Sequence, residues 1–226
     1  FQGDLTNFEF NDLNLLGRIT HVIDLLGATN AADENNMFRD LLFAKSAPTG
    51  TPGPGWWVPR KPGIFLVRRR AGFVSSEKLK LPGKIFLDKD LIIIVAAGDL
   101  SIPDMIRSTP MPMPSNKCPE HLLTLVALDG NLYLGTGSEI HAYLVALKKP
   151  PISGRTGGKL LSENGVVSMN IFGGLAIAEM GLYPTGTDAT TMSNFPFGGL
   201  IRYNPRFNPS SPLYAASRRF ILEDKH

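Results

Sequence analysis

The sequence is poor in the residues that build cross-linked or metal-held proteins: among 226 residues it has one cysteine, Cys118, and four histidines. A single cysteine excludes an intramolecular disulfide framework and any zinc site made of several thiolates. The longest apolar run, LIIIVAA from Leu91, is far shorter than the roughly 20 residues with which a helix spans a bilayer. No signal peptide is predicted at the beginning. These absences favour an intracellular (cytoplasmic) or virion location over that of a disulfide-rich secreted protein.

Charge is also scarce, since 19% of the residues are charged against roughly 25% in an average domain. The charges are unevenly distributed, with a net charge of −3 over residues 1–60 and +5 over residues 61–117. An acidic beginning and a basic middle can attract each other within one chain or between neighbours. Low charge together with 23 glycines and 18 prolines is typical of a β protein with many tight turns, or of a chain that hides surface in an oligomer.

The N-terminal part has the periodicity of helices. Residues 1–3, Phe-Gln-Gly, resemble the remnant of a tag-removal site and are left out of the fold prediction. Apolar side chains at helical spacing from Leu15 to Leu26 predict one helix, and residues 32–46, with apolar side chains between Met37 and Leu42 on one side, predict a second, shorter helix. We therefore expect residues 4–47 to form a helical N-terminal arm.

The remaining sequence has the pattern of strands. Residues 48–63 are dense in proline and glycine and are predicted to form a linker, in which Trp56 and Trp57 are adjacent. From residue 64 onward, β-branched and aromatic runs are bounded by glycine and proline, and no repeat at a fixed period is apparent. The predicted fold is mainly β: a sandwich or jelly-roll-like body of about seven or eight short strands over residues 64–226, with a short helical N-terminal segment and an extended C-terminal tail.

Basic residues provide the clearest candidate for a binding surface. They begin with the triplet Arg68-Arg69-Arg70 and are predicted to form a basic face suited to nucleic acid or an anionic membrane. The predicted basic face consists of Arg68, Arg69, Arg70, Lys78, Lys80, Lys84, Lys148, Lys149, Arg155 and Lys159. The segment around Arg155 is not a phosphate-binding P-loop, because Ser153 and Leu160 stand where that motif needs glycine and a hydroxyl side chain.

Other residues suggest two alternative functions, namely binding of a small ligand and catalysis or metal binding. Trp56 and Trp57 are candidate stacking platforms for a sugar or lipid ligand, although filling a gap between the arm and the body is the more ordinary role for them. Glu120, His121 and His141 are candidate groups for catalysis or metal binding. No H-x-H pair and no glycine-rich oxyanion turn accompanies them, so we predict no catalytic residue, no metal and no cofactor.

The sequence therefore predicts a non-enzymatic structural protein that self-associates as a homo-oligomer. Extended proline-rich segments with few charges are suited to lying across a neighbour's surface. A β body with extended termini and mildly basic patches is also the general profile of viral coat and matrix proteins, although no motif aligns with any family.

Overall fold

The computed structural model describes residues 19–47, 52–70, 77–102, 105–109, 119–135, 139–147, 157–163, 167–177, 179–180 and 197–203. Within these ranges the chain forms one α-helix, α1 (Ala31–Leu42), and seventeen β-strands, so the protein is mainly β. The strands fall into three stacks, which we call columns A, B and C.

Each column is a set of strands that pair with one another. Column A contains β1 (His21–Asp24), β4 (Gly63–Arg68), β7 (Leu91–Val95), β10 (Leu123–Ala127), β13 (Ala142–Ala146) and the second part of β15 (Val167–Ile177). Column B contains β2 (Phe43–Lys45), β3 (Trp57–Pro59), β6 (Lys84–Phe86), β9 (Met105–Arg107), β12 (Glu139–Ile140), the first part of β15, and β17 (Phe197–Tyr203). Column C contains β5 (Leu79–Lys80), β8 (Leu100–Ile102), β11 (Leu132–Leu134), β14 (Lys159–Ser162) and β16 (Glu179–Met180).

From β3 to β14 the chain passes through the columns in a fixed order, B then A then C. Up to β12, each of these strands pairs in parallel with the strand three places later, whereas β13 and β14 pair with β15 and β16 because β15 serves both column B and column A. The connection between two parallel partners therefore runs through the other two columns, as in a parallel β-solenoid. Because β15 runs from column B into column A, these columns form one curled mixed sheet, resembling a half-barrel, with eleven strands along its pairing path. Column C is a separate five-stranded parallel sheet, and β2 pairs with β3 in antiparallel orientation.

The predicted sandwich or jelly roll of seven or eight strands is therefore wrong. A sandwich is built from antiparallel hairpins, and Asp129-Gly130-Asn131 has the composition of a hairpin turn. In the structure this segment instead leads from β10 in column A to β11 in column C, and each of these strands has parallel partners. Short apolar runs between glycines and prolines look alike in both folds, which is why the pattern did not separate them.

A sequence repeat does exist, but its spacing varies. Glycine, a polar residue and leucine recur at 98–100, 130–132 and 158–160, and each time they lead into a strand of column C. The polar residues stack: Asp99 Oδ1 accepts the Asn131 N–H at 2.9 Å, and Asn131 Oδ1 accepts the Lys159 N–H at 3.1 Å. A Cβ on Gly130 would overlap the Gly98 carbonyl, so this corner requires glycine. A fixed-period search misses the repeat because its intervals are 32 and 28 residues.

The core lies between the columns and consists of side chains stacked in register. Phe65, Ile93, Leu125 and Leu144 are register partners on four successive strands of column A and are all buried. Burial of each such side chain contributes about 1.5–3 kcal/mol. Leucines of column C face them from the other side, and together these residues form one continuous hydrophobic core.

Helix α1 occupies the N-terminal end of the solenoid. Asn30 caps the helix by accepting the Asp33 N–H at 2.9 Å, and Phe38 and Leu42 are buried in the core. On the same helix, Asn35 Oδ1 accepts the Lys80 N–H at 2.6 Å, so its amide takes the place of a neighbouring strand at the edge of column C. The prediction of a second, shorter helix within residues 32–46 is confirmed as far as Leu42, whereas Phe43–Lys45 forms strand β2.

The predicted helix from Leu15 to Leu26 has a different outcome. Residues 21–24 form strand β1, while residues 1–18 lie outside the described residues. The parallel ladder with β4, in which Ile23 pairs with Val67, outweighs the local helical spacing of the apolar residues.

Candidate functional site: an apolar face and a buried histidine corner

The outer surface of column A is apolar over four neighbouring strands. Side chains alternate along each strand, so the residues between the core positions point outward. In two rows defined by the strand register, the outward residues are Ile64, Ile92, Thr124 and Tyr143, and Leu66, Ile94, Val126 and Val145. We call these eight residues the apolar face. Sequence reasoning missed it because continuous runs such as LIIIV do not tell which side chains point inward.

The centre of the apolar face is already covered within one chain. Ile94 and Val126 have 0% and 4% of their surface exposed, although they lie outside the core cluster. The other six residues are half-buried. At the edge, Val22 pairs with Leu66 and is 56% exposed. The apolar surface open to solvent therefore forms a rim around a covered centre.

Charge is confined to one end of this column. On the described strands of column A, the charged side chains are Asp24 and Arg68, which form an ion pair at the ends of β1 and β4. The hydrogen bond from Arg68 is the main cause that lowers the pKa of Asp24 below its usual value. The pair neutralises itself, so it adds little net charge to the apolar face.

The outer surface of column C is polar. Its middle outward row is Lys80, Ser101, Tyr133 and Leu161, and Lys78 precedes it in the chain. The Lys78 ammonium lies 3.7 Å from the centre of the Tyr133 ring and 3.3 Å from the Glu163 carboxylate. Burial, followed by the charges of Asp99 and Glu163, raises the pKa of Tyr133 to about 12.

The residues of the predicted basic face are distributed over all three columns. Arg68 belongs to column A, Lys80 and Lys159 to column C, and Lys84 to column B. Several of these cations are engaged within the chain: Arg68 with Asp24, Lys78 with Glu163, and Arg70 with the Ala28 carbonyl. Lys80 and Lys84 are exposed, while Lys148, Lys149 and Arg155 lie outside the described residues.

Arg69, the middle residue of the basic triplet, is buried. Its Nε and Nη2 donate to the two carboxylate oxygens of Glu34 at 3.0 and 2.7 Å, and both side chains are fully buried. Arg69 therefore ties helix α1 to the end of β4 and is not available to an anionic partner.

The two tryptophans contact the protein's own side chains. Trp57 lies in β3 and packs against the core, with the Arg39 guanidinium 5.0 Å from its ring. Trp56 meets the edge of Phe86 at a ring distance of 6.3 Å. This placement fits the role of filling space at the N-terminal end of column B.

The three residues weighed for catalysis or metal binding are engaged with different partners. Glu120 is exposed, and His121 Nδ1 lies 3.6 Å from Asp90 Oδ1. His141 contacts Glu139 and Ser108 instead. No group of three or more histidine, cysteine, aspartate or glutamate side chains with the geometry of a metal site occurs in the described part of the chain.

His141 is the centre of a second feature, a buried polar corner between β12 and β13. Its ring is 0% exposed, and Nε2 lies 2.7 Å from Glu139 Oε1. The other oxygen of Glu139 lies 3.1 Å from an Arg107 amino group. Nδ1 accepts the backbone N–H of Ser108 at 2.9 Å, and Ser108 Oγ lies 3.2 Å away. Phe172 meets the ring edge-on at 5.2 Å.

These bonds fix the tautomer of His141. Because Nδ1 accepts from a backbone N–H, the neutral ring carries its proton on Nε2 and donates it to Glu139. The series Ser108, His141 and Glu139 has the composition of a hydrolytic triad. However, the Nδ1 lone pair that would take the serine proton is already bound to the Ser108 amide, and the ring has no surface open to a substrate. The geometry therefore favours a structural role over acyl transfer.

Comparisons of this chain with protein-family models, with curated proteins and with solved structures gave no match. Among the described residues, no helix has the length and apolar character needed to cross a membrane.

Proposed function

We propose that this chain is a non-enzymatic structural protein that self-associates, with the apolar face of column A as its contact surface. The observation that carries the proposal is that six of the eight outward residues in these two rows are aliphatic, the other two being Thr124 and Tyr143, while the charged Arg68 lies beyond them at the end of β4. An outward sheet face in water is ordinarily polar, whereas an apolar face is typical of a surface that packs against another body.

A second copy of the same chain is the partner that fits this face. The eight residues of the apolar face include no charged side chain that would select a charged partner, and the half-buried ones can pack against an identical surface through a two-fold axis. The self-neutralised pair of Asp24 and Arg68 lies at its end. In such a pairing, the rim around Ile94 and Val126 supplies the contact area.

Nucleic acid and anionic membranes are less favoured as partners. The cations predicted to form one basic face are distributed over three columns, and Arg69 is fully buried with Glu34. The expectation of a viral coat- or matrix-type protein stays a prediction. Ligand stacking by Trp56 and Trp57 is not proposed further, because both rings are packed against neighbouring side chains.

The test is the mass of the chain in solution, measured by light scattering after size exclusion over a range of concentrations. The unmodified chain is expected to elute as an oligomer. Val145→Lys, which places a charge on the apolar face, is expected to weaken association at least tenfold because an unpaired ammonium would be buried in the contact.

The matched control is Met105→Lys, which places the same charge on a half-buried outward position of column B. It is expected to leave the mass unchanged. Circular dichroism verifies that both variants remain folded. An unmodified chain that is monomeric at every concentration would refute the proposal, as would equal masses for the two folded variants.

A further inference from the structure

The buried corner at His141 can exist in two protonation states, and only one of them fits the hydrogen bonds observed. Among the described residues, the polar groups placed around the ring are Glu139 and Arg107 on one side, and the amide and hydroxyl of Ser108 on the other. Phe172 supplies the remaining, apolar contact. With the neutral ring, each nitrogen has a partner of the correct polarity.

A proton on Nδ1 would turn this nitrogen from a hydrogen-bond acceptor into a donor. The new N–H would point at the N–H of Ser108 across 2.9 Å, so two donors would face each other. The Ser108 amide would then be buried without an acceptor, which is costly in a site with no access to water. His141 and Ser108 connect strands β9 and β12, which are neighbours in column B.

The carboxylate of Glu139 does not compensate for this loss. It already pairs with Arg107 at 3.1 Å, and this pair has little exposure to solvent. A second cation at His141 would share a carboxylate that is already neutralised, and it would be repelled by Arg107. Accordingly, burial lowers the pKa of His141 below its usual value of 6.5 and outweighs the raising effect of Glu139.

We propose that His141 makes this corner acid-sensitive. The neutral ring keeps its hydrogen bonds to Glu139 and to the Ser108 amide, and uptake of a proton breaks the bond to Ser108, so that the corner opens. The opened corner releases the Ser108 amide and loosens the junction of β12 with β13. Since β13 carries Tyr143 and Val145 of the apolar face, the corner lies directly beside the surface described above. The inference itself rests on the hydrogen bonds of His141 and holds whether or not the chain self-associates.

The test is amide hydrogen exchange of the unmodified chain from pH 7.5 to pH 5, expressed as protection factors so that the intrinsic pH dependence is removed. The protection factor of Ser108 is expected to be constant above about pH 6.5 and to fall up to about tenfold for each pH unit below it, because opening takes up one proton. The amide of Leu132 in column C is the internal reference, and its protection is expected to change less.

Two variants separate the proposed cause from general acid loosening. In His141→Asn, the amide oxygen can replace Nδ1 as the acceptor for Ser108 but does not titrate, so the protection of Ser108 is expected to become independent of pH. His121→Asn, at the half-buried histidine near Asp90, is expected to keep the pH dependence of the unmodified chain. Equal pH dependence in both variants would overturn the inference.

A measurement on the unmodified chain covers the case in which His141→Asn fails to fold. The ¹⁵N chemical shifts of the His141 ring are expected to show the tautomer with its proton on Nε2 and no titration near pH 6.5. A ring that titrates near pH 6.5 while the Ser108 protection factor stays constant would contradict the proposal directly.

Discussion

Columns A and C share one core but differ in what they present to solvent. Inward, both are rows of buried leucine, isoleucine and valine in register. Outward, column A presents the apolar face, and column C presents Lys78, Lys80, Tyr133 and Glu163 in contact with one another or with water. A solenoid core needs only the inward positions to be apolar. Packing within the chain covers Ile94 and Val126, but the other outward residues of column A stay half-buried and leave apolar surface for another body to cover.

The largest loss of stability is expected from substitutions in the core, where columns A and C are alike. Leu125→Ala in column A and Leu132→Ala in column C each remove a fully buried side chain. Each substitution is expected to lower the free energy of unfolding by about 2–5 kcal/mol, through lost burial and the cavity left behind. Urea unfolding of both variants measures this, and a loss below about 1 kcal/mol in either one would show that the two columns do not share a core.

A substitution at the edge of a column is expected to lower the free energy of unfolding by less than one in the core. Asn35→Ala removes the side chain that bonds to the edge of column C, and we expect a loss of about 1 kcal/mol because the freed Lys80 amide can be reached by water. Asn36→Ala is the matched control, since Asn36 is an exposed neighbour on the same helix. Equal stability of the two variants in urea unfolding would show that Asn35 does not protect the edge.

The smallest effect is expected from the ionisation of Tyr133, on the polar surface of column C. The pKa of Tyr133 is raised from 10.0 to about 12, so its contribution to stability is fully present below pH 10 and is lost as the pH rises toward 12. At pH 11 Tyr133 should still be neutral. The tyrosinate absorbance at pH 11 is therefore expected to be the same in the unmodified chain and in Tyr133→Phe. A clearly lower absorbance in Tyr133→Phe would mean that Tyr133 ionises near its ordinary pKa.

The sequence allowed the class of the fold to be predicted, but not its topology. Glycine, proline and β-branched patterning correctly indicated a mainly β protein, and the apolar spacing near Met37 correctly indicated a helix. The pairing of each strand with the third strand after it depends on contacts between distant residues, such as Leu125 with Ile93 and Leu144. The glycine corners at residues 98, 130 and 158 carried the signal, but their unequal spacing concealed it.

The candidate functional features could be predicted from the sequence even less than the topology, because their residues are brought together by the fold. His141 was identified from the sequence as a candidate, whereas its partners Ser108, Arg107 and Glu139 were not, because two of them lie more than 30 residues away in the chain. Arg69 appeared to be a surface cation because its partner, Glu34, lies in a helix 35 residues earlier. The continuous apolar run at Leu91–Val95 is typical of a strand covered on both faces, but its inward and outward residues can be told apart only once the neighbouring columns are known.

The most direct test of the central claim is the light-scattering mass of the unmodified chain at low and at high salt. If the apolar face is the contact, the chain is an oligomer under both conditions, because apolar burial is not screened by salt. An oligomer that dissociates at high salt would instead indicate contacts between charged surfaces and would contradict the assignment to column A. A monomer at both salt concentrations would contradict self-association itself.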